Sequence, residues 1–370
     1  MPIRLNSINT FVLSNVTHRP VRTLLSVLAI AIEVTMILTL VGVSHGTLDA
    51  TARRARGVGA DIMLRPPGSS IVGLGSAPMT DRLVPMLMKK PHILWVTGTV
   101  VQPLEGFDTI NGLDLGSFTR MSGGFHFLQG GPFRKDDDIL VDEYVAREKH
   151  LHVGDTVHLI NHDWHLSGIF ESGKLTRIAV RLPVLQAVTE NPNHLSQIYL
   201  KVDDPNRAHE VVEQLRKLLP GYPIYTMEEF TSLLTVNSVG LLRNFIGVVT
   251  GVAVIVGFIV VFMAMYTAVL ERTREIGILK AMGASSPLIF SILLKETLVL
   301  ASSGVAAGIL LTYGTQWLMR HLVPSSLAQE TVYSWWPIAG AIAIIGALLG
   351  AIVPIIKAVR QDVTVALAYE

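Results

Sequence analysis

Four apolar runs dominate this chain and limit what it can become. Residues 24–43 carry a single charge, Glu33, in 20 positions; residues 245–270 (26), 297–319 (23) and 331–356 (26) carry none. At 1.5 Å of rise per residue, about 20 apolar residues cross a hydrocarbon core of about 30 Å. Buried helices of soluble domains rarely run so long without a charge, so all four read as transmembrane helices. Composition agrees: 16% of the residues are charged, against roughly 25% in soluble domains. The 30 Lys and Arg against 29 Asp and Glu leave no basic excess for phosphates, which excludes a nucleic-acid partner. There is no cysteine, hence no disulfide, thiolate zinc site, catalytic thiol or lipid-bearing N-terminal Cys.

The first run is longer than the 7–15 residues of a signal-peptide core, so it reads as an uncleaved anchor, even though Ala50-Thr51-Ala52 offers an A-x-A pattern. Lys and Arg beside the spans set the orientation. Arg4, Arg19 and Arg22 precede the first, Arg272, Arg274, Lys280 and Lys295 lie between the second and third, and Lys357 and Arg360 follow the fourth; the loop between the third and fourth has only Arg320. Nine against one places both termini and the 271–296 loop in the cytoplasm. The Arg53, Arg54, Arg56 cluster heads a long domain, and long domains translocate largely regardless of charge. The expected layout is an interfacial helix in 1–23, with Leu5, Ile8, Phe11, Val12 and Val16 at helical spacing, and a first span at 24–45. An outer domain follows at 46–225, a stalk plus second span at 226–270, and a cytoplasmic segment at 271–296. A third span at 297–319, a short outer loop at 320–331, a fourth span at 332–356 and a cytoplasmic tail at 357–370 complete it. The fold class is thus an α-helical membrane protein with an α/β domain inserted between its first two spans.

In the outer domain, β-branched and apolar patterning predicts strands at 61–65, 92–101, 138–142 and 197–202. A short helix should follow the third, reaching about Lys149. Residues 156–160 and 164–170 should form a hairpin across 161–163, and 205–219 a helix with Pro at its start and Gly221 at its stop. Residues 66–76 and 120–134 read as loops. Thr226 and Glu229 fit a capping box. From there one helix could run over 227–270, about 66 Å, as a rigid rod; a break near Gly240 is the alternative.

The segment from Glu271 to Pro287 is dense in charge, then in small residues. Ile276, Leu279 and Met282 recur on one face of a short helix that Gly283 and Pro287 end, and an apolar face at that surface suits a partner's groove. Residues 270–285, Leu-Glu-Arg-Thr-Arg-Glu-Ile-Gly-Ile-Leu-Lys-Ala-Met-Gly-Ala-Ser, resemble the ERxREIGxLKAxGAS segment of MacB/FtsX-type (type VII) ABC transporter permeases. His18-Arg-Pro-Val-Arg-Thr-Leu-Leu25 is similar to that family's basic run into the first span, and one span, a large outer domain and three further spans match its layout. The resemblance implies that Glu271, Arg272, Arg274, Glu275, Ile276, Gly277, Leu279, Lys280, Met282 and Gly283 form a coupling helix seated on an ABC ATPase subunit. It also implies a second permease copy, as a homodimer or related heterodimer, in the bacterial inner membrane, with a periplasmic adaptor and outer-membrane channel as further partners beside membrane lipid.

No G-x-x-x-x-G-K-[ST] loop occurs in the 370 residues, so ATP and Mg belong to the partner ATPase and this chain holds no cofactor and no catalytic residue. His150, His152, His158, His162 and His165 fall close together with Asp155 and Asp163, but alternate hairpin residues face opposite sides, which argues against one metal site. Glu33 lies near mid-span, where an ionised carboxylate costs at least about 2.5–3.5 kcal/mol. It is either a neutral packing group or a group lining a subunit interface, and it departs from the small residue the family pattern puts there. The implied function is export or extraction of an envelope substrate by mechanotransmission. An FtsX-like regulator that switches a periplasmic enzyme, and a membrane-anchored sensor without an ATPase, are the alternatives.

Overall fold

The computed structural model describes residues 20–69, 79–104, 108–236, 240–322 and 329–360. It divides into a helical unit (Met1–Val43, Asn244–Leu318, Gln329–Glu370) and an α/β unit (Ser44–Arg243, Met319–Ala328). Helix α1, Pro20–Arg56, contributes to both. The interfacial helix expected before residue 20 and the tail beyond 360 lie outside the described residues.

The α/β unit is a mixed sheet with helices laid on it. Its strands are β1 (Ile62–Leu64), β3 (Ile93–Pro103), β4 (Thr109–Leu113), β5 (Phe127–Gly130), β6 (Asp138–Asp142), β7 (Thr156–Leu159), β8 (His162–Phe170), β9 (Ile178–Arg181), β11 (Gln197–Val202) and β12 (Ile224–Thr226); β2 (Met79–Thr80) and β10 (His194–Leu195) pair separately. The order is β12-β1-β11-β3-β4-β9-β6-β8-β5, with β7 alongside β8. The β4–β9 and β6–β8 pairs are parallel and the rest antiparallel. Strands β1 and β6 are buried at every position, as strands covered on both faces must be.

Helices α2 (Leu83–Met88), α3 (Leu115–Ser122), α4 (Glu143–Glu148), α5 (Leu182–Val188) and α6 (Ala208–Leu218) fill the connections. In α6 the buried residues Ala208, Val211, Val212 and Leu215 fall at i, i+3, i+4 and i+7, one stripe against the core. Asp142 ends β6 and caps α4, its Oδ1 accepting the Val145 N–H at 2.8 Å. Trp164, fully buried, donates its indole N–H to the Leu159 carbonyl at 3.1 Å.

Three expectations shift. The β7–β8 turn sits at Ile160 and Asn161, both at positive φ (54° and 52°), so β8 starts at His162 rather than 164; two consecutive left-handed residues match the twist of a tight hairpin. The expected 120–134 loop contains the end of α3 and strand β5. The continuous helix over 227–270 is not formed. Helix α7 (Met227–Leu233) ends at Leu234, and α8 starts at Gly240 and runs to Glu271. The chain leaves the helix at a run of poor helix formers, Thr235 and Val236 followed by Asn237 and Ser238, and buries Leu234 and Val236 instead. The capping box is present in full: Glu229 N–H to Thr226 Oγ1 at 3.0 Å, Thr226 N–H to Glu229 Oε2 at 3.1 Å.

The helical unit holds most of α1, α8 and α10 (Ser286–Leu322), with α9 (Thr273–Ala281) and α11 (Trp335–Arg360). Among the described residues, α1, α8, α10 and α11 are long and apolar enough to cross a membrane. Small residues set their contacts, because lipid gives helices no hydrophobic drive to associate. Gly304 and Gly308 of α10 lie against α1: a Cβ at Gly308 would stand 2.7 Å from Val34 Cβ and 2.8 Å from the Ala31 carbonyl. Thr35 Oγ1 donates to the Gly308 carbonyl at 3.0 Å across that approach. On α11, Ala339, Ala343, Ala347 and Ala351 form a buried stripe, and Gly350 faces the Phe258 carbonyl of α8.

Candidate functional site

Residues 271–285 fold as a short helix fastened to the bundle at both ends. Helix α8 stops at Glu271 and α9 starts at Thr273; Arg272 between them, at φ −109° and ψ 15°, breaks the helix. At the far end Gly283, at φ +93°, closes α9 in a Schellman arrangement: Gly283 N–H donates to the Lys280 carbonyl and Ala284 N–H to the Leu279 carbonyl, each at 2.9 Å. A Cβ would strain that backbone, which explains glycine there.

The inward side holds Arg272, Thr273, Ile276, Gly277 and, in part, Lys280. Arg272, 7% exposed, reaches Glu296 of α10, 1% exposed, with Nη1 at 3.1 Å from Oε2 and 3.4 Å from Oε1. Ile276 joins the bundle core beside Ile289 and Leu293. Lys280 Nζ donates to the Val359 carbonyl in the last turn of α11 at 2.6 Å, where a cation meets the negative end of a helix. Leu279 is half-buried in a cleft shared with Ile289, Ile292 and Leu293. The outward side holds Glu271, Arg274, Glu275, Ile278, Ala281, Met282 and Gly283; Ile278 is 43% and Met282 71% exposed.

The expected apolar face of Ile276, Leu279 and Met282 is therefore split. Ile276 is spent on the bundle and Leu279 mostly so, while Met282 faces out with Ile278, four residues before it. Ile278 was not singled out in the sequence, because 276, 278, 279 and 282 are spread round the helix and periodicity alone does not rank them. Arg272 and Gly277, expected at a partner, point inward. Glu296 was also missed; the signal for it is an acid at the mouth of an apolar run, which needs a partner.

Glu33 is 6% exposed inside the helical unit, its carboxyl seated over Gly257 of α8, where a Cβ has no room. Its Oε1 has no hydrogen-bond partner among the described residues. The side chain is enclosed by its own chain. The outer histidines pair with separate carboxylates: His158 with Asp163 at 2.7 Å, His162 with Asp137 at 2.9 Å, His152 with Asp155 at 3.8 Å. Among the described residues no three His, Asp or Glu side chains converge on one point.

Two family models cover most of the chain: the MacB-like periplasmic core domain over residues 23–218 and the FtsX-like permease C-terminal domain over 247–363. The first alone spans more than half of it. The chain belongs to the MacB/FtsX-type ABC transporter permeases. Among its relatives, the macrolide export ATP-binding/permease protein MacB of Escherichia coli is 25% identical over 96% of this chain and 59% of its own length. The uncharacterized ABC transporter permease YknZ of Bacillus subtilis is 33% identical over 40% of this chain and 37% of its own. The solved periplasmic region of MacB from Actinobacillus actinomycetemcomitans aligns with 48% of this chain and 94% of its own at a TM-score of 0.37 and 16% identity. This MacB/FtsX-type permease thus spans about three-fifths of the length of the Escherichia coli MacB protein. Most of its α/β unit, up to residue 218, falls within the periplasmic-core match, and α8 to α11 within the permease match from residue 247 on.

Proposed function

We propose that this permease works with a separate ABC ATPase subunit, which holds ATP and Mg, and that α9 seats its outward face in a groove of that subunit. One observation carries the reading: α9 is a short helix anchored inward by Arg272, Ile276 and Lys280, yet it keeps Ile278 and Met282 exposed, four residues apart and beside Arg274 and Glu275. A helix held this firmly does not need two more large apolar groups outside unless something covers them. The permease acts as a dimer in the bacterial inner membrane, both termini and α9 cytoplasmic and the α/β unit periplasmic, by the Lys and Arg asymmetry of the loops. ATP-driven closure of the ATPases moves α9, and the membrane helices pass that motion to the periplasmic domain. The task is export or extraction of an envelope substrate, with an adaptor and outer-membrane channel as partners. That several relatives are named macrolide export proteins supports export over regulation.

Two measurements test this. Ile278→Asp places a charge where an apolar groove is expected and should abolish co-purification of the ATPase, while a distant change, His162→Ala, should not. Cysteines at Ser69 and Ser285, the sole thiols in a cysteine-free chain, should label from opposite sides of the membrane in intact cells. Full ATPase content in Ile278→Asp, or labelling from one side, overturns the reading.

A further inference from the structure

Two charged side chains buried in the helical unit, Arg272 and Glu296, meet each other, and one of them is the joint residue between α8 and α9. Arg272 donates through Nη1 to both carboxylate oxygens of Glu296. The surroundings are tight: Thr273 and Thr297, next in sequence to the pair, are both buried, and Thr297 Oγ1 donates to the Leu293 carbonyl at 3.0 Å and lies 3.6 Å from Met265 Sδ of α8. Ile276, Ile289 and Leu293 close the apolar side.

Such a pair is an inefficient source of stability. Both ions lose water, and an apolar pair of similar volume would hold the joint as well or better. What an ion pair adds is direction. An apolar contact slides, whereas a charged donor facing a buried carboxylate holds a directed contact that a shift of either helix stretches.

We propose that Arg272 and Glu296 are positioning residues that tie the α8–α9 joint to α10, so that displacement of α9 is delivered to α10 as well as to α8. The proposal rests on the reading of α9 as the ATPase-docking helix. It assigns to Glu296, eleven residues into α10, the role of the point where the push enters that helix.

The absence of cysteine allows single labels. Val248→Cys on α8 and Leu318→Cys on α10, both exposed, each carry an environment-sensitive fluorophore in the full permease–ATPase complex in nanodiscs, trapped with ATP and vanadate. In the parent both labels respond to trapping. In Glu296→Gln, which keeps the shape and removes the charge, the ATPase should still co-purify and the α8 label still respond, while the α10 response is lost. Arg272→Glu with Glu296→Arg should bring the α10 response back. Both labels responding in Glu296→Gln as in the parent overturns the tie, and so does an equal fall at both labels with a lowered melting point, the signature of a merely structural pair. Where Glu296→Gln does not fold, the charge-swapped double variant decides: a folded, ATPase-bound double variant with a silent α10 label also overturns it. The docking reading fails separately, if Ile278→Asp keeps its ATPase and both label responses.

Discussion

Gly308→Ala on α10 is the sharpest test of how the membrane helices are held. The Cβ it adds would stand 2.7 Å from Val34 Cβ, 3.0 Å from Val34 Cγ1 and 2.8 Å from the Ala31 carbonyl oxygen. Carbon atoms rest at about 3.5–4.0 Å, so the two helices must part by about 1 Å. The carbonyl is backbone and has no rotamer to change. Parting strains the Thr35 Oγ1 bond to the Gly308 carbonyl (3.0 Å) and the Thr39–Thr315 hydroxyl contact (3.0 Å). Overpacking costs about 1–3 kcal/mol and each interhelical bond about 0.6 kcal/mol, about 2–4 kcal/mol together. Gly314, six residues on, has nothing within 4 Å. There alanine meets open space and recovers up to about 1 kcal/mol of helix propensity. The two single-methyl changes on one helix should therefore move the detergent melting midpoint in opposite directions. Equal melting points, or a less stable Gly314→Ala, would refute close backbone approach at Gly308 as the basis of the α1–α10 contact.

Burial pushes the Asp142 carboxyl from its usual 3.8 up to about 6, although the Val145 N–H and the Arg177 and Arg54 charges work against that. A raised folded value means the folded state prefers the protonated form, so stability is full below about pH 3.8 and is lost as pH rises towards and past 6. At 1.36 kcal/mol per pH unit that is about 3 kcal/mol by pH 7. Asp142→Asn keeps the helix cap and should melt higher than the parent at pH 7.5 but level with it near pH 4, by calorimetry of the full chain. Glu33→Gln should leave melting point and ATPase content nearly unchanged, whereas Gly257→Ala, which drives a Cβ into the Glu33 carboxyl, should lower the first; the reverse order would mean that the Glu33 charge is what matters. Docking should bury the exposed 43% of Ile278 and 71% of Met282, so at about 1.5–3 kcal/mol for a whole side chain the alanine variants should weaken ATPase binding in a titration by about 0.6–1.3 and about 1–2 kcal/mol respectively. Leu279→Asp, aimed at a half-buried position, should instead lower the melting point of the chain itself.

The spans were legible because the signal is one of length: no other structure uses 26 uncharged apolar residues in a row. Strands β1, β3, β6 and β11 were legible for a related reason, being apolar, β-branched and bounded by turn residues. Strands β4, β5 and β9 were not. Residues 109–113, Thr-Ile-Asn-Gly-Leu, put Asn and Gly, which strands avoid, inside a short run; Gly112 is there because the α5 side chain Leu185 stands 3.0 Å from where its Cβ would be, a tertiary reason invisible in one dimension. The break after Leu233 has the same character. Local propensity permitted a helix through to 270, and burial of Leu234 and Val236 in the α/β unit overrode it.

The site divides along the same line. Its place in the chain, its two ends and its glycine stop follow from residues that act locally, and these were readable. Which side of α9 faces out depends on where Glu296 and Val359 lie, 24 residues on from Arg272 and 79 on from Lys280. Arg272 looks in sequence like one of several charges free to orient a partner. Once Glu296 claims it, Ile276 and Gly277 follow inward by helical geometry, and Ile278 and Met282 are left outside. The outward face is thus set by the helices behind it, and the residues proposed to dock lie on the opposite side of α9 from those proposed to pass on the motion. That separates two failures otherwise easily confused: loss of ATPase binding from a change on the outward face, and loss of motion in α10 from a change behind it.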